Sequence, residues 1–124
     1  MQKARLLCLN VEDGKGFYEV ECKKLEDYYK HLGCDCFDIT SRKIGNKAFD
    51  IFCDDIGLFK DKPIVSAVDK ALRPALVGNL IFANHDNMGN TTSLSDEDIE
   101  LIMDEKITAF DFDTSRSWDM ITLS

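Results

Sequence analysis

Proline is nearly missing from this chain of 124 residues: Pro63 and Pro74 are the only two. No stretch therefore reads as a linker, and no repeat or low-complexity segment divides the chain. Histidine is as scarce, with His31 and His85 alone, which leaves little material for a histidine-rich metal centre. No apolar run approaches the roughly eighteen residues of a membrane-spanning helix. The opening stretch MQKARLLCLN has too short an apolar segment for a signal sequence, and no small-residue cleavage site follows it. A cytoplasmic protein without a membrane partner is the expectation. Catalytic motifs are missing as well: there is no G-x-S-x-G elbow, no phosphate-binding G-x-x-x-x-G-K-[ST] loop and no H-E-x-x-H helix. Five cysteines are present, Cys8, Cys22, Cys34, Cys36 and Cys53. An odd count without a signal peptide points to reduced thiols, not to a disulfide framework.

Positive charge is the scarcest commodity at the C-terminal end. Residues 1–94 carry 14 acids and 13 bases, a net of −1, whereas residues 95–124 carry 9 acids and 2 bases, a net of −7; together they make the −8 of the whole chain. A nucleic-acid polyanion is repelled by such an end, and a basic protein surface is attracted. The plain alternative is that the acids serve solubility. The hydrophobic fraction of 44% and charged fraction of 31% are those of a globular domain, and the length suits one domain, residues 1–124.

Residues 3–10 read as a strand and residues 17–22, FYEVEC, as its hairpin partner. In KKLEDYYKHLG the period changes: Leu25, Tyr28, Tyr29 and Leu32 fall at helical spacing, with Gly33 as the left-handed stop. Residues 35–41 and 47–54 alternate around the turn RKIGN and form a second hairpin. A loop follows over residues 55–63. IVSAVDKAL, residues 64–72, places Ile64, Val65, Val68, Ala71 and Leu72 at helical spacing between Pro63 and Pro74, which predicts a helix. Residues 77–84 are the most apolar and predict a central strand. A short helix opens at Ser95, and residues 107–113 and WDMITLS predict further strands. The fold class is α+β, a largely antiparallel sheet of about six strands with two or three short helices in the order β-β-α-β-β-α-β-α-β.

Three clusters invite a chemical reading. NHDNMGN resembles the calcium loop D-x-[DN]-x-[DN]-G-x5-E, but Met88 and Ser95 stand where oxygen ligands are needed. The segment reads better as a turn followed by a capping box of Ser95 and Asp98, with Leu94 and Ile99 as a hydrophobic staple. In HLGCDC, His31, Cys34 and Cys36 lack the C-x2-C spacing of structural zinc sites, and the thiols read as packing groups. In the C-terminal stretch, alternation places Phe110 and Phe112 toward the core and Asp111 and Asp113 outward. Trp118 is either an aromatic anchor for a partner or a lid on the core. No catalytic residue, metal or cofactor is expected.

The helix CKKLEDYYKHLG, the hairpin DCFDITSRKIGNKAFDIFCDDIG and above all ALRPALVGNLIFANHDNMGNTTSLSDEDIE resemble the family catalogued as domain of unknown function 3846, over about residues 4–106. The resemblance implies a setting in phages, plasmids and integrated elements of Gram-positive bacteria, and it brings no catalytic residues. Residues 107–124 stand as a C-terminal acidic extension of the family-like core.

The resulting expectation is a non-enzymatic binding protein of a mobile element, a candidate anti-defence inhibitor of the anti-CRISPR type. It presents an acidic face (Asp96, Glu97, Glu100, Asp104, Glu105, Asp111, Asp113, Trp118 and Asp119) to a basic nucleic-acid-binding groove of a host protein, without binding nucleic acid itself. A homodimer is compatible with this reading. One alternative is an oligomeric binder that sequesters a nucleotide immune signal, with Arg42, Lys43, His85 and Asp86 as its residues and Arg5, Lys47 and Arg73 as further cations. Another is a metal-dependent nuclease.

Overall fold

The computed structural model describes residues 3–55 and 62–124. Its elements, in chain order, are β1 (Ala4–Asn10), β2 (Gly16–Cys22), α1 (Leu25–Leu32), β3 (Phe37–Ile44), β4 (Lys47–Asp54), β5 (Val65–Val68), β6 (Pro74–Val77), β7 (Leu80–His85), β8 (Thr91–Thr92), α2 (Asp96–Asp104), β9 (Lys106–Asp111) and β10 (Arg116–Thr122). The class is α+β, as the periodicities imply. The strands form two sheets: a 6-stranded one in the order β2-β1-β7-β4-β3 with β8 attached to β7, and a 4-stranded one in the order β6-β5-β10-β9. The pairing of β5 with β10 is parallel, and the other described pairings are antiparallel.

The helix expected over residues 64–72 is not formed. Val65–Val68 is β5, and Pro74, expected to follow a helix end, instead begins β6. Ile64, Val65 and Val68 are β-branched and favour extended backbone. The short apolar run is buried against neighbours on both sides, the situation in which strand and helix periods look alike. Asp69 then makes the reversal: its Oδ1 accepts from the N–H groups of Ala71 and Arg73, each at 2.9 Å. The loop read at residues 55–63 lies mostly outside the described residues.

Strand β7 is buried on both faces and organises the rest. Leu80 and Phe82 point into a core shared by the two sheets, with Leu9, Ile51, Phe49, Ala67, Ile102, Ile121 and Leu123. Ile81 and Ala83 point the other way, into a second core with Leu6, Cys8, Val20, Phe52 and the Tyr28 and Leu32 side chains of α1. Helix α1 stops at Gly33, whose φ is 69° and whose N–H donates to Tyr29 O at 2.8 Å, as its sequence implies. The C-terminal residues belong to the core between the two sheets: Ile121 and Leu123 are fully buried.

The turn between β3 and β4 also carries a contact. Gly45 has φ 65°, and a Cβ there would lie 2.7 Å from Leu101 Cδ1, so its missing side chain lets α2 lie against the hairpin.

All five cysteines are free, and Cys8 and Cys22 are buried. Burial pushes their thiols up, to about 11 and about 12, so they act as packing groups and not as nucleophiles. Cys36 is exposed, unlike the buried filler expected of it.

Helix α2 opens with the expected capping box. Asp98 N–H donates to Ser95 Oγ at 3.1 Å, and Ser95 N–H donates to Asp98 Oδ2 at 2.9 Å. Asp98 reaches further: Asn84 Nδ2 of β7 donates to Oδ2 at 2.8 Å, and Lys47 Nζ of β4 lies 2.6 Å from Oδ1. One carboxylate thus ties α2 to two strands. Burial by itself would raise this carboxyl, but the Lys47 ammonium and the Ser95 and Asn84 donors outweigh it and bring Asp98 to about 2.

A folded value below the unfolded one means stabilisation that is complete above about pH 4 and lost as pH falls through about 2. Urea denaturation of the wild type and Asp98→Asn between pH 5 and 2 is expected to show the wild-type advantage shrinking by about 2 kcal/mol across that window.

Candidate interaction surface

Helix α2, β9 and β10 succeed one another along the chain and carry the acidic residues. On α2 the inner face is Ile102, fully buried, with Ile99 and Met103 packed against the core. Glu97, Glu100 and Asp104 are exposed and lie at i, i+3 and i+7, one outward stripe. Asp96 is set apart from them, because Arg5 holds it through Nη1 at 2.7 Å while Nε of the same guanidinium holds Glu19 at 2.5 Å. Among the described residues, no cation pairs with Glu97, Glu100, Asp104, Glu105, Asp111, Asp113 or Asp119.

The end of α2 breaks a local rule. Its last turn contains no basic residue, and Asp104 and Glu105 stand at the C-terminal end, where the helix dipole is negative. Acids at i, i+3 and i+4 on one face also repel one another. This placement lowers the stability of α2, so packing and helix formation do not account for it.

Strands β9 and β10 pair from Lys106↔Ile121 to Asp111↔Arg116. Their facing differs from the sequence expectation. Ile107, Ala109 and Asp111 are the half-buried positions, while Phe110 is 53% and Phe112 88% exposed. The alternation is real but the exposure is opposite to that expectation: Ile107 and Ala109 share a face with buried Met120 and half-buried Trp118, while the core residue Ile121 lies on the other face, across from exposed Lys106. The two exposed rings contact each other edge to face, with centroids 4.9 Å apart. Trp118 projects from the other face of the hairpin. It is half-buried, packs on the core and donates from Nε1 to Val65 O at 2.9 Å, the behaviour of a lid.

The other acids of the hairpin have local partners. Asp111 Oδ1 accepts from Asp113 N–H at 2.9 Å and shapes the turn. Asp119 Oδ1 lies 3.4 Å from Thr108 Oγ1, and its Oδ2 sits 3.0 Å from where a Cβ of Gly16 would be. Asp111 also lines a cavity of about 460 Å³ with Lys62, Arg116 and Trp118.

The small-molecule alternative is not gathered into one place. Arg42 and Lys43, consecutive on β3, project to opposite faces of the sheet. His85 Nδ1 is 3.0 Å from Asp50 Oδ2. Asp86 is held below the usual carboxylate range by the backbone N–H and side chain of Asn90 and by Met88 N–H, which makes it a turn residue. A concave site lies elsewhere: Asn10, Glu12, Asp13, Lys15, Tyr18, Lys30, His31, Gly33 and Asn79 border a cavity of about 430 Å³. Its residues come from the β1–β2 hairpin, the end of α1 and the turn before β7, and no spacing along the chain announces that they meet. A larger cavity of about 660 Å³ has Cys34, Cys36, Asp54 and Asp55 in its wall. Among the described residues, no three His, Cys, Asp or Glu side chains converge as metal ligands, and no helix is long and apolar enough to cross a membrane.

The family model described as Domain of unknown function (DUF3846) matches residues 5–107. No curated protein and no solved structure matches the chain. Four of the six residues of β9 and the whole of β10 lie past the end of that match.

The unfavourable acid at the end of α2 has a measurable consequence. Asp104→Lys is expected to stabilise the protein by about 0.5 kcal/mol, and Phe112→Ala to change stability by less than about 0.5 kcal/mol, in chemical denaturation.

Proposed function

We propose, from the premise that this chain belongs to the Domain of unknown function (DUF3846) family, that it is a non-enzymatic binding protein. Its acidic C-terminal quarter docks on the basic nucleic-acid-binding groove of another protein. The observation that carries this reading is the acid at the end of α2: Asp104 and Glu105 stand against the helix dipole with no cation in the last turn. Residues that work against the stability of their own element are candidates for a role outside the fold. The net −7 of residues 95–124 supplies the long-range field, which speeds encounter with a basic surface and weakens as salt rises. The exposed Phe110–Phe112 pair supplies apolar contact beside the acids. The setting we assign is a phage or other mobile element of a Gram-positive bacterium. The partner is a cytoplasmic host defence effector of the CRISPR type, and inhibition follows from occupying its nucleic-acid groove.

A second reading, capture of a small phosphorylated ligand, is favoured by the cavity beside Lys15, Tyr18, Lys30 and His31. The two lysines suit phosphate and the Tyr18 ring suits a base, while Glu12 and Asp13 in the same wall oppose an anion.

Asn at positions 111, 113 and 119 retains the Oδ acceptors of the hairpin while removing three charges. The triple variant Asp111→Asn, Asp113→Asn, Asp119→Asn is expected to keep its melting temperature and to lose inhibition of target-DNA cleavage by a CRISPR effector nuclease. Inhibition that survives the triple change overturns the electrostatic mechanism. Under the second reading, native mass spectrometry of the purified protein shows a retained mass of a nucleotide, and Lys15→Ala with Lys30→Ala removes it.

A further inference from the structure

Strand β9 is an edge: among the described residues it pairs with β10 alone. Thr122 N–H donates to Glu105 O at 3.0 Å. From that bond the antiparallel alternation directs the N–H and C=O groups of Ile107, Ala109 and Asp111 toward β10. Those of Lys106, Thr108 and Phe110 point away from the sheet. The same three residues are the exposed ones of β9. The open hydrogen-bonding groups and the exposed side chains thus belong to one set of residues.

The other edges are guarded. Strand β6 begins with Pro74 and pairs with β5 through two register shifts. Strand β3 carries Arg42 and Lys43. On β2, Glu19 and Glu21 are engaged by Arg5 and Lys3 across the strand pair. Strand β9 has a single lysine, Lys106, at one end, and the aromatic pair Phe110 and Phe112 at the other. Asp104 and Glu105 precede it and Asp113 follows it. Asp119 pairs with Thr108, so the two share one face.

We propose that the open edge of β9 takes up an extended basic segment of a partner protein as an added strand. The proposal rests on the reading of this region as an acidic docking surface and specifies how the partner is held. Main-chain hydrogen bonds to Lys106, Thr108 and Phe110 give affinity, and the side chains give selection. A lysine or arginine beside Thr108 reaches over that small residue toward the Asp119 carboxylate, about two strand spacings away. An apolar residue two positions along packs on Phe110. A second copy of this chain is disfavoured at the same edge, because Asp104, Glu105 and Asp113 would face their own kind.

The test uses a capped eight-residue peptide, Lys-Thr-Val-Thr-Lys-Thr-Val-Thr, which puts lysine and valine two positions apart on one face, with the full-length protein and its Thr108→Pro variant. Residue 108 directs its N–H outward, so proline there spares the pairing with β10 but removes a docking donor. Expected results are peptide binding by fluorescence anisotropy at low salt, weakening by about tenfold or more in Thr108→Pro, and slowed amide exchange at Lys106, Thr108 and Phe110. If the proline variant is misfolded by its melting curve, the exchange pattern of the wild type decides. Binding that is equal in a folded Thr108→Pro, or that leaves those three amides unprotected, overturns strand addition and leaves the acidic surface standing. No peptide binding also overturns it, while the surface reading is judged separately by the triple-Asn cleavage assay. A dimer in sedimentation with the three amides protected before peptide is added assigns the edge to a second copy and overturns it equally.

Discussion

The burial of β7 on both faces is the constraint from which the architecture follows. A strand whose successive side chains are Leu80, Ile81, Phe82 and Ala83, all fully buried, needs an apolar layer on each side. On one side α1 supplies it with Tyr28 and Leu32. On the other, α2 and the second sheet supply it, with Ile102 from the helix and Ala67, Ile121 and Leu123 from β5, β10 and the residue after β10. The C-terminal residues are therefore structural and surface-forming at once. Ile121 and Leu123 close the core, and the preceding hairpin stands at the edge of the sheet they anchor.

The acids of α2 divide by the same geometry. Asp98 lies inside, where Ser95, Asn84 and Lys47 satisfy it and each contact adds to the fold. Asp104 and Glu105 lie at the end of the helix without a cation in the turn. The first arrangement explains itself by stability, and the second does not. That contrast, more than the number of acids, is why the outer set is read as a surface meant for something else. A count of charges cannot separate the two kinds, because both contribute equally to the net −8.

The β9 edge follows the same division between satisfied and open groups. Strand edges are ordinarily blunted by charge, proline or bulges, and β6 and β3 are blunted in these ways. On β9 the acids around the edge oppose self-pairing while leaving the main-chain groups accessible to a segment of opposite charge. Solubility and selectivity then arise from one feature. The aromatic pair beside it adds an apolar contact that the acids alone lack.

Local chemistry was enough to read the first two hairpins, the β7 strand, the Gly33 stop, the Ser95–Asp98 cap and the acidity of the last quarter. Each depends on neighbours within a few residues, whose turn, cap and alternation preferences act before any long-range contact forms. It was not enough for residues 64–72, where a short apolar run satisfies both periods and the choice lay with the strands that pair to it. It was not enough for the exposure of β9 either: alternation says that Phe110 and Asp111 face opposite ways, and only what the rest of the fold packs on each face says which is covered. The sequence by itself determined the first two hairpins, the two helices that form, their ends and the sign of the surface. The tertiary structure decided which acid is buried, which aromatic is exposed and which edge is open, because these depend on what packs against each face.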